Sequence, residues 1–160
     1  MKNKQILFDR MIDESLDMLR RTAYAILGNA ADADDAVQEA LFRAWNKYSV
    51  FRSRSKLSSW VCRITVNVAC DMLRKRKCDA ARLTVLTEKD AVTEITDSRL
   101  EELQYAIAAL SEPYRSAITL GALSGLSGEE AARQLNCKLN TLYWRINRAK
   151  EMLREKLKGF

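Results

Sequence analysis

No histidine occurs in the 160 residues, and there are only one proline (Pro113), five glycines and four cysteines. Each shortage closes off a class of function. Without histidine the commonest general base is missing, and so are the Ser–His and Cys–His nucleophile pairs. The cysteines fall at 62, 70, 78 and 137 with no CxxC pair, so no zinc ligand set is present. Buried or half-buried thiols in a reducing compartment are expected instead. The glycines match neither GxGxxG nor GxxxxGK, which leaves no phosphate-cradling loop. The longest stretch without charge, SAITLGALSGLSG (116–128), is too short and too rich in Gly and Ser to cross a bilayer. The N-terminal MKNKQILFDRM meets Asp9 and Arg10 before a secretory apolar core could form. What remains reads as a non-enzyme, expected to need no cofactor or metal and to sit in the cytoplasm.

What is present is charge in blocks. Residues 51–78 hold eight Lys and Arg against one acid, and residues 113–160 hold nine against four. Between them, residues 79–112 hold three against eight. Two basic blocks suggest two contacts with a polyanion; either block alone could equally be a solvated helix face.

Nearly every segment has helical periodicity and none alternates like a strand, so the fold class is all-α. Residues 4–27 carry Ile6, Leu7, Met11, Leu16, Leu19, Ala23 and Ile26 and stop at Gly28-Asn29. A second helix, capped by Asp32, has the stripe Val37, Ala40, Leu41, Ala44, Trp45 and Tyr48. A short basic loop (49–55) leads to a third helix over about 56–77. Its stripe is Leu57, Trp60, Val61, Ile64, Val68 and Met72, and its other face is polar. Residues 79–97 lose the periodicity and read as a linker, with Asp97 capping the next helix to about Leu110. Ser111-Glu112-Pro113 starts another, with proline in its first turn.

In LSGEEAARQL (126–135), Ser127 and Glu130 form a capping box. A three-residue turn, Asn136-Cys137-Lys138, joins this helix to a basic one over about 139–157, a helix-turn-helix. On a helical wheel Leu142, Ile146, Ala149 and Leu153 make its core face. Trp144 falls opposite, beside Asn140, Asn147 and Arg148. In such motifs the N-terminal part of the second helix enters the major groove, which points to Thr141, Tyr143, Trp144, Arg145 and Arg148. Arg can bond guanine or phosphate, and an aromatic ring can pack on thymine methyls or sugars. The other assignment for Trp144 is a protein interface.

The order of these parts resembles the compact extracytoplasmic-function (ECF) group of sigma factors of bacterial RNA polymerase, in the sigma-70 family. The resemblance rests on AYAILGNAADADDAVQEALFRAWNKY (23–48), FRSRSKLSSWVCRITVNVACDMLRKRK (51–77), LSEPYRSAITL (110–120) and LSGEEAARQLNCKLNTLYWRINRAKEML (126–153). It implies two small helical domains: region 2 over 1–78 and region 4 over 98–160, joined by a flexible linker over 79–97. It also implies a transcription initiation factor that binds core RNA polymerase and promoter DNA and is a monomer when free. Many members are held by an anti-sigma factor, though no feature here identifies one. Asp34, Asp35, Gln38, Glu39 and Phe42 match the element that docks on polymerase. Arg52, Arg54, Lys56, Arg63, Asn67, Arg74, Lys75 and Arg76 match the part that captures and melts the minus-ten element. Asn140, Thr141, Tyr143, Trp144, Arg145 and Arg148 match the minus-thirty-five reader. Trp60, on the apolar stripe, is expected in the core. The rival function is a helix-turn-helix regulator acting without polymerase, which would account for 126–153 but not for 23–77.

Overall fold

The computed structural model describes residues 2–52, 55–86 and 98–158, and every regular element among them is helical. Helix α1 (Lys2–Leu27) ends at Gly28, whose left-handed φ of +79° turns the chain while its N–H bonds Tyr24 O at 2.8 Å. Asn29, in extended conformation, then caps α2 (Ala30–Asn46), its side chain accepting from Asp32 N at 2.8 Å. The cap is thus Asn29 rather than the expected Asp32, whose carboxylate instead accepts from Asn29 Nδ2 at 2.9 Å.

Helix α1 buries Phe8, Met11, Leu19, Ala23 and Ile26. Ile6 and Leu7, expected in that stripe, are exposed, because the buried row runs through Phe8 and Met11. The buried side of α2 is Ala33, Ala36, Val37, Ala40 and Ala44, small residues that let it lie close to its neighbours. Trp45, expected in the core, is 44% exposed and covers the edge of Phe8 at 5.2 Å.

A 3-10 turn (Tyr48–Val50) leads toward α3, which runs from Leu57 to Leu86. At 30 residues it is roughly 45 Å long. It does not stop near 77: residues 79–86, expected in the linker, continue it, since AARL (80–83) are good helix formers with no breaker before them. The remainder of the expected linker, 87–97, with its proposed cap Asp97, lies outside the described residues. The expected stripe is only part of the buried surface. Val61 and Val68 are fully buried, and Leu57, Trp60, Ile64 and Met72 half-buried. Cys62, Thr65, Val66, Ala69, Cys70 and Leu73 are buried as well. The cause is that α3 has neighbours on two sides. It packs on α1 and α2, and also on α4 (Ser98–Ala108), α6 (Gly128–Gln134) and the π turn Thr119–Leu123.

The second half is built on α5 (Glu112–Ile118), the π turn and α7 (Leu139–Lys156). Pro113 sits in the first turn of α5, as expected. Gly121 lets the π turn approach α7, since a Cβ there would lie 2.6 Å from Ile146 Cδ1. Ser127 Oγ accepts from Glu130 N at 3.2 Å to cap α6. Asn136 takes the left-handed φ of +50° in the turn before α7, a conformation asparagine tolerates better than most residues. Leu142, Ile146, Ala149 and Leu153 are the buried residues of α7. One buried cluster joins both halves, including Leu19, Val37, Val66, Leu120 and Leu142. A smaller one (Ile107, Leu110, Ile118, Ala149, Leu153) belongs to the second half.

Candidate functional site

Three surfaces gather the residues singled out above. The first is the outer side of α2, where Asp35, Gln38, Glu39 and Phe42 are exposed. Phe42 is 65% exposed, on the side away from the alanine face. Asp34 is half-buried and pairs with Arg20 of α1 at 2.9 Å; Glu39 pairs with Arg43 at 2.6 Å. An aromatic ring standing out from acidic and amide side chains fits a protein partner with an apolar slot and a cationic rim.

The second surface is the loop before α3 and the polar side of that helix. Arg52, Asn67 and Lys75 are exposed, and Lys56 projects from the helix start; Arg54 lies outside the described residues. The arginines of the helix are not the free cationic face that was expected. Arg63 Nη1 donates to Gln134 O at 2.7 Å, and Arg74 Nε to Ala108 O at 3.0 Å. Arg76 Nη1 donates to Leu27 O at 3.2 Å, and its Nη2 pairs with Asp32. These three carbonyls belong to the last residues of α6, α4 and α1. A helix end leaves its final carbonyls without partners and carries partial negative charge, so a guanidinium there satisfies both needs. Each arginine thus caps another helix. Arg76 braces the first half internally, while Arg63 and Arg74 tie the two halves together.

Around Arg63 the contact widens. Gln134 Nε2 donates to Ser55 Oγ at 2.6 Å, and Lys56 Nζ pairs with Glu130 at 2.6 Å. Lys56 above all, by hydrogen bond and charge, holds the Glu130 carboxyl below its ordinary range, with help from the Ser127 backbone N–H and Arg133. Farther along, Lys77 lies over the Tyr105 ring at 5.4 Å, and Gln104 Nε2 reaches Ala25 O at 3.4 Å. The contact is not perfectly satisfied. Ser59 Oγ and Arg74 Nη2 are buried without a partner. Beside the loop lies an open cleft of about 440 Å³, with Leu7, Arg10, Tyr48, Phe51, Lys56 and Leu57 on its walls. An aromatic row follows it: Tyr48 to Phe51 at 6.0 Å and Phe51 to Trp60 at 5.2 Å. Trp60 is half-buried, between the core expected for it and the cleft.

The third surface is the outer side of α7. Asn140, Tyr143, Trp144 and Arg148 are exposed, and Thr141 and Arg145 half-buried. Arg148 pairs with Glu151 at 2.9 Å, which raises its pKa. Among the described residues the ion pair of Arg148 and the ring contact of Trp144 stay within the second half, so the two faces differ: that of α3 is partly covered, that of α7 is open.

Of the cysteines, Cys62 and Cys70 are buried, Cys137 is half-buried, and Cys78 is exposed on α3 against expectation. Burial pushes the Cys62 and Cys70 thiols up to about 11. Among the described residues no group of Cys, Asp and Glu is arranged to hold a metal. No helix among them is long and apolar enough to cross a membrane.

Sequence reasoning missed the partners that cover α3 and the loop before it: Glu130, Gln134, which also bonds Ser55, and the Ala108 carbonyl. The available signal was the apolar and small residues between its arginines. Val66 and Cys70 fall in helical register with Arg63 and Arg74, too apolar for a face in water. Sequence reasoning placed Asn147 beside Trp144, where it is exposed, without counting it among the DNA-binding residues, and it missed Tyr114 of α5, which packs against Trp144.

Comparison with known proteins places this geometry. Residues 11–78 match Sigma-70 region 2, and residues 100–153 match Sigma-70, region 4. The ECF RNA polymerase sigma factor SigW of Bacillus subtilis is 31% identical, over 98% of this chain and 92% of its own length. The ECF RNA polymerase sigma factor SigE of Mycolicibacterium smegmatis is 33% identical, over 94% of this chain and 61% of its own. Among solved structures, the sigma factor RpoE in complex with the anti-sigma factor NepR, from Bartonella quintana, is 30% identical with a TM-score of 0.57. It covers 95% of this chain and 97% of that one. CnrH in complex with the cytosolic domain of CnrY is 26% identical with a TM-score of 0.60, over 95% and 88% of the two chains.

Proposed function

The chain belongs to the ECF RNA polymerase sigma factors of the sigma-70 family, and from that premise we propose which of its residues bind polymerase and DNA. It is a transcription initiation factor that binds core RNA polymerase and directs it to promoters. Residues 1–78 serve as region 2, residues 98–160 as region 4, and 79–97 connect them. Phe42 is the anchor for polymerase, ringed by Asp34, Asp35, Gln38 and Glu39. A large exposed ring among polar side chains supports this role. Arg52, Arg54, Lys56, Arg63, Asn67, Arg74 and Lys75 receive the displaced strand of the minus-ten element, the cleft beside Tyr48 and Phe51 giving an unstacked base an apolar wall. Arg76, committed to Asp32 and Leu27 O, holds the domain together instead. Asn140, Thr141, Tyr143, Trp144, Arg145, Asn147 and Arg148 face the duplex of the minus-thirty-five element. The protein does no catalysis and works in the cytoplasm, where polymerase is. An anti-sigma factor is a further partner, by analogy with the two solved complexes.

The observation that carries this reading is the state of the α3 arginines. A helix C-terminus and a phosphate chain offer a guanidinium the same thing, acceptor oxygens with negative charge. In the free chain α4 and α6 take the place of the strand. Polymerase binding must separate region 4 from α3 before melting begins. The test is copurification with core polymerase followed by transcription from a genomic library. New starts sharing an upstream and a bubble-proximal motif, lost with Phe42→Ala, are expected. Failure to bind polymerase would refute the assignment and favour the regulator that acts alone.

A further inference from the structure

The two neighbouring aromatics of α7 are held in different ways. Tyr143 swings toward α6: its hydroxyl lies over Gly128, where a Cβ would come within 2.6 Å of it. Trp144 leans toward α5, its ring 6.3 Å from that of Tyr114 at an angle of 48°. Tyr114 supports one side of the indole and narrows its rotamers, while the ring stays 60% exposed. Asn140, Trp144, Asn147 and Arg148 follow one helical line, so the indole stands in the middle of a polar strip.

An indole has one N–H donor and no acceptor, so it cannot match the paired hydrogen-bonding edges that Arg and Asn read on guanine and adenine. What it offers is apolar surface. In the major groove the apolar feature is the C5-methyl of thymine. Tyr143, drawn back to the start of α6, is left for sugar and phosphate. We propose that Trp144 is a specificity-determining residue that reads a thymine methyl in the upstream duplex, with Tyr114 as its positioning residue. This rests on the reading of α7 as the duplex reader.

The experiment uses the full chain with core polymerase. The upstream element is selected from random duplex, and each thymine in it is then replaced by deoxyuridine, which removes only the methyl. One or two replacements should weaken binding about fivefold, the low end of what one altered base pair costs. The same replacements should have no effect on Trp144→Ala. Tyr114→Leu should shrink the thymine preference and Tyr114→Phe should keep it, a split that a role in folding alone would not give. An element without thymine, or equal binding of thymine and deoxyuridine throughout, would overturn the proposal while leaving α7 a duplex reader. Absence of any duplex binding would overturn that reading as well.

Discussion

The basic side chains of α3 and of α7 belong to the same chemical class but have different neighbours. On α7 Arg148 is exposed beside Glu151 and Arg145 is half-buried, both on a side that a polyanion can reach directly. On α3 two of them are spent on the ends of α4 and α6, with Lys56 on Glu130 and Ser55 on Gln134. The difference teaches that a cationic sequence block does not by itself mark an available binding face. On the roles proposed above, a duplex can be approached first, through α7, while the α3 face is withheld. The contacts that withhold it combine these polar pairs with the apolar cluster that joins the halves, and two buried polar atoms among them lack partners. Opening it therefore needs a partner whose binding to the open form offsets the loss of both.

That contrast can be broken most completely by forbidding the halves to part. Ser55→Cys and Gln134→Cys, joined by a short bismaleimide with Cys78 and Cys137 changed to serine, should reduce promoter melting to background. Duplex binding through α7 should persist; melting by the cross-linked protein would show that the α3 face is not occluded. The opposite break is Val66→Asp. An unpaired carboxylate buried between the halves costs several kcal/mol, so they should separate. Energy transfer between dyes on the two halves should fall while the helical circular dichroism stays. Loss of helicity would mean that neither half is stable alone.

A milder change sharpens the contrast. Glu130→Lys sets two cations against each other at the loop. A pair exposed on its lysine side contributes on the order of 1 kcal/mol, so single-strand binding by the free chain should rise about two- to fivefold, with duplex binding unchanged. The smallest effect is that of pH. The Glu130 carboxyl is held below its ordinary 4.5, so its contribution to closure is complete above that value. It vanishes as pH falls through the lowered one. Energy transfer between the halves should decline there in the native chain and stay flat in Glu130→Gln.

The legibility of the sequence follows the same contrast. Helix α7 has one packed side, so its apolar residues make a single stripe, and Leu142, Ile146, Ala149 and Leu153 could be assigned from the wheel. Helix α3 has two, so its apolar residues surround it and the wheel showed one side only. Its arginines looked free because nothing in their spacing says that a backbone carbonyl at the end of a distant helix will meet them. Aspartate suits a cap, which points to Asp32, but the left-handed Gly28 puts Asn29 there first. The end of α3 is hidden for a simpler reason: RKRK (74–77) looks like a terminus, yet CDAARL (78–83) follows with no helix breaker, and the helix runs on.

The buried thiol of Cys70 lies in register with Arg63 and Arg74, and burial holds its pKa near 11 against an ordinary 9.0. Nearly all of it is therefore inert to alkylation at neutral pH. Once the halves move apart, the thiolate fraction rises and the sulfur becomes more reachable. Its labelling rate is a stopwatch for opening already present in the unaltered chain, and a ligand that closes or pries apart the molecule would slow it or make it run faster.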